Sequence, residues 1–400
     1  MPDRCLTVIP SVPVWTDGEH IVFDRKFYDG LLLYVERWPG PVSCVVRRTT
    51  DALPAFGAVR KTAKELPFAV QSLYTEERVR AEHLAGAAVV LAAADDFNQL
   101  HVSALCRGLG IKCAYVIEYV PETRHQIVAI ESPNLLTRLR RDLFVRRTER
   151  RRRKAFDLAD GIQANGTAAC GEYRKYANCM LYFDTRMGRD AMISDDALSS
   201  RLEESSKGGP LRLAFSGRLI GMKGADHLVR VAAALRDSGV PFHLTVYGTG
   251  DLESRMRADI RALELDLRVT MRGAVDFHDT LVPEIKSSVD AYVMLHRQSD
   301  PSCTYLETLS CGIPIVGYAN KALSGILEMA DVGCSSAMDD VAGIAAAIRR
   351  LDSDRALLSR QSRAASGFAR RHSFEETFRN RVDHLLRLAG DAPDRPAVTV

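Results

Sequence analysis

Short apolar runs alternate along this chain with stretches in which apolar residues recur every three or four positions. The runs predict strands, and the wider spacing predicts amphipathic helices. In the first half, strands are expected at residues 6–9, 42–47, 88–93, 113–117, 161–164 and 180–183, with helical spacing at 97–109. The second half is more regular. Strands are expected at 211–216, 243–247, 268–272, 291–295 and 313–318, and helices at 225–236, 252–264, 305–310 and 341–351. Such alternation implies parallel sheets with helices on both faces.

A polar, Ser-rich stretch at 194–210 ends in Gly-Gly-Pro and reads as a linker. It divides the 400 residues into domains at 1–200 and 201–370. The tail at 391–400 reads as frayed. Two doubly wound domains of this kind would set a cleft between the carboxyl ends of two sheets, where ligands bind.

Composition narrows the class. Apolar residues make up 46% and charged residues 26%, which fits a globular enzyme and excludes a disordered chain, a collagen or a coiled coil. The longest apolar run, residues 84–94, has 11 residues. A membrane-spanning helix needs about 18 or more. The N-terminal residues lack a basic start followed by a long apolar stretch, so no secretory leader is expected. The nine cysteines include no C-x-x-C pair and are odd in number, which predicts reduced thiols, no zinc site and a cytoplasmic setting.

The net charge of +3 hides a local excess. Between Arg138 and Lys154 lie nine Arg and one Lys against Asp142 and Glu149, a net +8, so the rest of the chain carries −5. Leu136, Leu139 and Leu143 recur at helical spacing beside these charges. The pattern suits an interfacial helix on an anionic membrane, and equally a solvated helix beside a cleft. Nucleic acid is not expected, since no aromatic residue interleaves 146–154.

Four constellations carry candidate chemistry. The first, SGRLIGMKG at 216–224, follows a strand and precedes a helix. Its glycines let backbone N–H groups approach an anion, and Arg218 and Lys223 add two positive charges suited to a diphosphate. By local chemistry alone it is equally a glycine turn with two solvated cations. The second, SDPSCTYLETLSCGIPIV at 299–316, frames a short helix containing Glu307. A carboxylate there can accept two hydrogen bonds from a ribose diol. The third and fourth are the strand-to-glycine turns at Gly248 and Gly273. Each could line a nucleotide or serve as a plain connection.

The order of these pieces resembles the donor-binding half of family 4 of the retaining glycosyltransferases, which have the GT-B fold of two Rossmann-like domains. The family pattern runs G-R-L, K-G, G-x-G, a strand with Gly, V-P, A-D-x-F-V and a carboxylate pair followed by A-x-G-x-P-V-V, and the order, spacing and chemistry here agree with it. The segments are SGRLIGMKG, VYGTGDLE, RVTMRGAV, VPEIKSSVDAYVML and SDPSCTYLETLSCGIPIVGY, within residues 211–330. The resemblance implies transfer of a sugar, with retention, from a nucleotide diphosphate-sugar to a hydroxyl acceptor. No other cofactor and no metal is implied. It assigns Gly217, Arg218 and Lys223 to the donor diphosphate, Glu307 to the ribose, Thr308 and Leu309 to phosphate through their N–H groups, and 271–275 with Gly273 to the base. Residues 371–390 would form the family's terminal helix, packed back on the N-terminal domain. A lipid-linked saccharide of surface polysaccharide or glycolipid synthesis is the expected acceptor, reached through a peripheral contact of the basic stretch with the membrane.

Two departures stand out. The family's first Glu falls on Ser299, with Asp300 next to it as the candidate substitute. The family's N-terminal His is missing, and Glu118, or Asp95 and Asp96, could face the cleft in its place. Gly18, in the loop after the first strand, is a further candidate for close approach to the donor, with Asp17 and His20 beside it, and His101 reads as structural. The rivals are another GT-B enzyme, such as a sugar-nucleotide epimerase, and a degenerate protein that binds nucleotide-sugars without turnover.

Overall fold

The computed structural model describes residues 4–53, 57–74 and 77–391, so the tail read at 391–400 lies, after its first residue, outside the described residues. Two compact units divide the chain, Met1–Tyr182 with Glu375–Val400, and Phe183–Phe374.

The first unit contains β1 (Cys5–Ile9), β2 (Trp15–Asp17), β3 (His20–Asp24), β4 (Val42–Arg47), β5 (Ala58–Thr62), β6 (Ala69–Leu73), β7 (Ala87–Ala93), β8 (Lys112–Ile117), β9 (Gly161–Asn165) and β10 (Cys179–Tyr182). A seven-stranded parallel sheet runs β10-β9-β8-β7-β1-β4-β6, while β2, β3 and β5 form a small antiparallel sheet. The largely buried strands β4 and β7 are nearly continuous apolar runs, as a doubly covered parallel sheet requires. The small sheet escapes the sequence patterns because it is short, polar and half exposed.

Strand order reverses between β1 and β7. Gln99 bridges that point. Its Oε1 accepts from Ala93 N at 2.8 Å, and its Nε2 donates to Pro10 O at 2.8 Å. The expected helix at 97–109 is a 3-10 turn, Phe97–Gln99, followed by an α-helix at Val102–Leu109. Between them, His101 bonds Val79 O at 2.8 Å. The basic stretch is one helix, Leu135–Leu158. Its Arg152 is fully buried, pairs with Glu149 at 2.6 Å and donates from Nε to Ala94 O at 2.9 Å. The helix Phe374–Ala389 packs on this unit from Glu375 onward. Arg381 Nε donates to Gln163 Oε1 on β9 at 2.8 Å, and Phe378 meets Tyr34 with 5.1 Å between ring centroids.

The second unit contains β11 (Leu211–Ser216), β12 (Phe242–Tyr247), β13 (Val269–Gly273), β14 (Ala291–Met294), β15 (Ile315–Tyr318) and β16 (Gly333–Ser336). They form a parallel sheet in the order β13-β12-β11-β14-β15-β16, so its topological reversal lies between β11 and β14. Leu213, Phe215, Leu244, Val246 and Val293 fill its core.

The linker expected at 194–210 is instead mostly a helix, Asp195–Ser206. Ser194 caps it by accepting from Ala197 N at 3.2 Å, and Asp195 and Asp196 suit the positive end of the helix dipole. Leu198 and Leu202, one turn apart, bury against Ile193. Arg201 extends from it to the carbonyls of Cys311 at 2.8 Å, Gly312 at 2.5 Å and Lys286 at 2.9 Å. The composition is linker-like, but a cap and an i, i+4 apolar pair outweigh it.

Candidate functional site

The carboxyl ends of β11 and β14 create the site in the second unit. Tyr292 on β14 pins the end of β11. Its hydroxyl donates to Ser216 O at 2.9 Å and also bonds Ser216 N. Beyond Ser216 the chain turns through Gly217 and Arg218 into a single 3-10 turn, Gly221–Lys223. Gly224 ends that turn at φ +70°, and a Cβ there would lie 2.1 Å from Leu295 O. Only glycine lets the turn lie this close to the end of β14. Arg297 clamps the same turn. Its guanidinium donates to both Asp226 oxygens at 2.8 and 3.0 Å and to Asp339 at 2.6 Å, and its backbone N–H donates to Met222 O at 3.0 Å.

This frame places two cations differently. Arg218 is exposed and makes no ion pair among the described residues. Lys223 is buried, with Nζ 3.4 Å from Asp300 Oδ2. Burial holds the Lys223 ammonium below the ordinary lysine range, and the Asp300 carboxylate partly offsets that. The other Asp300 oxygen, Oδ1, is buried without a hydrogen-bond partner. Ser299, where the resemblance would put a first Glu, accepts from Lys321 N at 3.1 Å. His296 lies at the end of β14 with Nδ1 also unpartnered. Burial, then the Lys223 charge, holds this imidazole well below the ordinary histidine range, so it stays neutral.

Glu307 sits on the short helix Thr304–Ser310. Its Oε1 accepts from Arg186 Nε at 2.7 Å. The Arg186 guanidinium in turn lies over the Phe277 ring, 3.4 Å from its centroid. Arg186 therefore joins the carboxylate expected at a ribose to the loop that follows β13. Thr308 and Leu309, expected to offer backbone N–H groups, are the fifth and sixth residues of the helix and are buried. Helical geometry bonds their N–H groups back to the preceding turn, so the open donors belong to the first turn instead.

Gly217, Gly248 and Gly273 stand side by side at the sheet edge. Gly217 N donates to Tyr247 O at 3.1 Å, and Gly248 N donates to Gly273 O at 2.7 Å. A Cβ on Gly248 would lie 2.0 Å from Gly217 O, so backbone approaches backbone here.

In the first unit, Asp95 accepts from Glu118 N at 2.8 Å and Tyr119 N at 3.3 Å, and is paired with Arg124. It ties the loops after β7 and β8 together. Asp96 caps the turn at Phe97–Gln99 and lies 3.5 Å from Arg47 Nε. Both acids thus have structural partners. Glu118 is half-buried beside them. Gly18 sits at φ +61° in the tip of the β2–β3 hairpin, with nothing within 4 Å of a built Cβ, so the turn rather than a close contact accounts for it. Asp17 pairs with Arg60 at 2.5 Å.

Residues 199–368 match the family model described as glycosyl transferases group 1. A solved structure of Anabaena Alr3699/HepE in complex with UDP is similar over 96% of this chain and 99% of its own, with a TM-score of 0.64 and 13% sequence identity. The fold is GT-B. Glycogen synthase of Mycobacterium tuberculosis (strain CDC 1551 / Oshkosh) is 28% identical over 157 residues, 39% of this chain and 37% of that protein. The GDP-mannose-dependent alpha-(1-6)-phosphatidylinositol dimannoside mannosyltransferase of Mycobacterium tuberculosis (strain ATCC 25177 / H37Ra) is 28% identical over 180 residues, 44% of this chain and 43% of that protein. The chain thus spans less than half the length of the curated relatives it matches.

In the second unit, around the candidate site, sequence reasoning missed Arg186, His296 and Arg297. His296 and Arg297 directly follow a strand at the sheet reversal, a position that could have flagged them. Arg186 had no such signal. It lies in an irregular segment far in sequence from Glu307, and only folding brings the two together.

Proposed function

We propose that this chain is a retaining glycosyltransferase. It moves a sugar from a nucleoside diphosphate-sugar to a hydroxyl of a saccharide acceptor carried on a lipid, at the cytoplasmic face of a membrane. The observation that carries the reading is the buried Lys223–Asp300 pair, with an unpartnered Asp300 oxygen, beside the exposed Arg218 at the reversal point of the sheet. A buried ammonium with donors to spare and a carboxylate oxygen with no partner suit a ligand that presents both phosphate oxygens and hydroxyl groups.

In this reading Arg218 and Lys223 hold the diphosphate. Glu307 takes the ribose hydroxyls, Asp300 takes hydroxyls of the donor sugar, and Gly217, Gly248 and Gly273 give the nucleotide a backbone wall. The bond from the anomeric carbon to the phosphate oxygen breaks while the acceptor oxygen bonds to the same face of the sugar. The acceptor's proton passes to the departing phosphate oxygen. Arg218 and Lys223 stabilise the charge that grows there. Glu118 belongs on the acceptor side. UDP in the Anabaena protein and the phosphatidylinositol mannoside named for the mycobacterial relative support the donor and acceptor classes.

A second reading, a protein that binds nucleotide-sugars without turnover, is favoured by one observation: Ser299 is committed to Lys321. Thermal unfolding with UDP-, GDP-, ADP- and dTDP-sugars tests both. One nucleotide is expected to stabilise the protein by about 2.7 kcal/mol at 100 times its Kd, and Arg218→Ala and Glu307→Ala should each remove the effect. No stabilisation by any of the four contradicts the donor site. Stabilisation without any release of nucleoside diphosphate from the matching donor supports the second reading.

A further inference from the structure

The helix Leu135–Leu158 presents a face that the donor site does not use. Leu135, Leu136, Leu139 and Leu143 are exposed at 76%, 61%, 66% and 47%. They occupy the first three turns, and steps of three and four residues continue the same stripe through Arg146, Arg150 and Lys154. Phe144, also exposed, stacks edge-on against the exposed Phe97 beside them, with 5.6 Å between centroids. The whole stripe from Leu135 to Lys154 is about 28 Å long at the helical rise.

The charges on this helix fall into two groups. Arg152 and Arg153 turn inward to Glu149 and Glu172, so those four cancel. Arg140, Arg146, Arg147, Arg150, Arg151 and Lys154 make no ion pair among the described residues. Arg138 and Arg141 add to them, and the outward side carries two acids, Asp142, bonded by His125 at 2.7 Å, and the exposed Asp157. Eight outward cations against two acids leave a net six positive charges next to an exposed leucine patch.

We infer that the outward face of this helix docks on an anionic lipid surface, with Leu135, Leu136, Leu139 and Leu143 entering the interface and the arginines that follow them holding lipid phosphates. Charge complementarity selects this occupant. A second copy of the chain would set two strongly positive faces against each other. A nucleic acid would leave the leucine patch without a use. An apolar edge continued by arginines matches a bilayer boundary, which is apolar inside and anionic at its surface. No described helix is long and apolar enough to cross a membrane, so this contact lies on the surface. The surface stands on the helix alone. Its purpose, bringing the donor site to a lipid-borne acceptor, rests on the glycosyltransferase reading.

Flotation of the full chain with phosphatidylcholine vesicles, with and without phosphatidylglycerol, tests the inference. Binding should need the anionic lipid and fall as salt rises. Each arginine near such a surface counts for roughly fivefold in partition, so Arg146→Glu with Arg147→Glu should weaken binding at least about 30-fold. Leu139→Ser with Leu143→Ser should weaken it at least about tenfold, and since all four side chains are exposed, the circular dichroism and melting temperature should hold. Equal binding to neutral vesicles, no binding to anionic ones, or leucine variants that bind like wild type would each overturn the inference. So would a duplex DNA that displaces the protein from vesicles while the leucine change leaves DNA binding intact. Nucleotide stabilisation of the same variants is read separately, so a failed donor site and a failed lipid surface give different results.

Discussion

Arg186 and Glu307 meet through a 2.7 Å hydrogen bond from Nε to Oε1, with the same guanidinium stacked on Phe277. A carboxylate has enough lone pairs to accept from an arginine and from a ribose diol together. On the proposed reading, Arg186 is a positioning residue that fixes the Glu307 side chain while the nucleoside binds. Arg186→Ala should lower stability by about 1–3 kcal/mol, between the values for an exposed and a buried pair, and raise the KM for the donor about tenfold with little change in kcat. Arg186→Lys should restore only part of the KM effect, because an ammonium cannot reproduce the planar stack. Steady-state kinetics with unfolding curves separate the two effects.

Lys223 gives the site a pH dependence. Burial lowers its pKa, so the free protein loses this charge at a pH where an ordinary lysine keeps it. Nucleoside diphosphate affinity should be full below that lowered pKa and fall as pH rises through it. Titration of Kd against pH should show this alkaline limb in the wild type. It should be absent in Lys223→Arg, whose guanidinium stays charged.

The turn at Gly224 should tolerate no side chain. Alanine would take φ +70°, costing about 1–2 kcal/mol, and its Cβ would press on Leu295 O at 2.1 Å. The Gly221–Lys223 turn must then shift. Gly224→Ala should therefore weaken nucleotide binding by about tenfold or more, a loss expected from a small misplacement. Calorimetric titration beside a melting curve checks this.

His384 adds an acid-sensitive contact to the first unit. Burial pushes its pKa down to about 4, and its Nε2 bonds Asn178 O at 2.8 Å. The unfolded chain takes up this proton near pH 6.5, before the folded one does. Stability from the neutral ring is therefore full above about pH 6.5 and is lost as pH falls toward 4, up to about 3 kcal/mol. Denaturant unfolding between those pH values should show the slope, and His384→Gln should reduce it.

The sheets were legible in the sequence because buried parallel strands need apolar runs, and the runs at 42–47 and 211–216 became β4 and β11 with the same ends. The glycine turn with Arg218 and Lys223 was legible for a similar reason, since its strand–turn–helix setting is local. What folding alone revealed are pairings across long separations. Asp300 meets Lys223 77 residues away, and Glu307 meets Arg186 121 residues away. The helix Asp195–Ser206 was hidden by its serines and acids, although its buried Arg201 ties down the chain after Glu307's helix. Thr308 and Leu309 were misassigned because a helix start placed at 305 rather than at Thr304 does not by itself show which N–H groups remain open.

If Arg218 and Lys223 grip a diphosphate, the second phosphate must add affinity through these two side chains. Affinities of UDP, GDP, ADP and dTDP, each beside its monophosphate, measured on wild type, Arg218→Ala and Lys223→Ala, test it most directly. The preferred diphosphate should bind at least about tenfold more tightly than its monophosphate, a difference of about 1.4 kcal/mol, and either substitution should remove most of that gap. Equal affinity for diphosphate and monophosphate in the wild type, or a gap untouched by both substitutions, would contradict it.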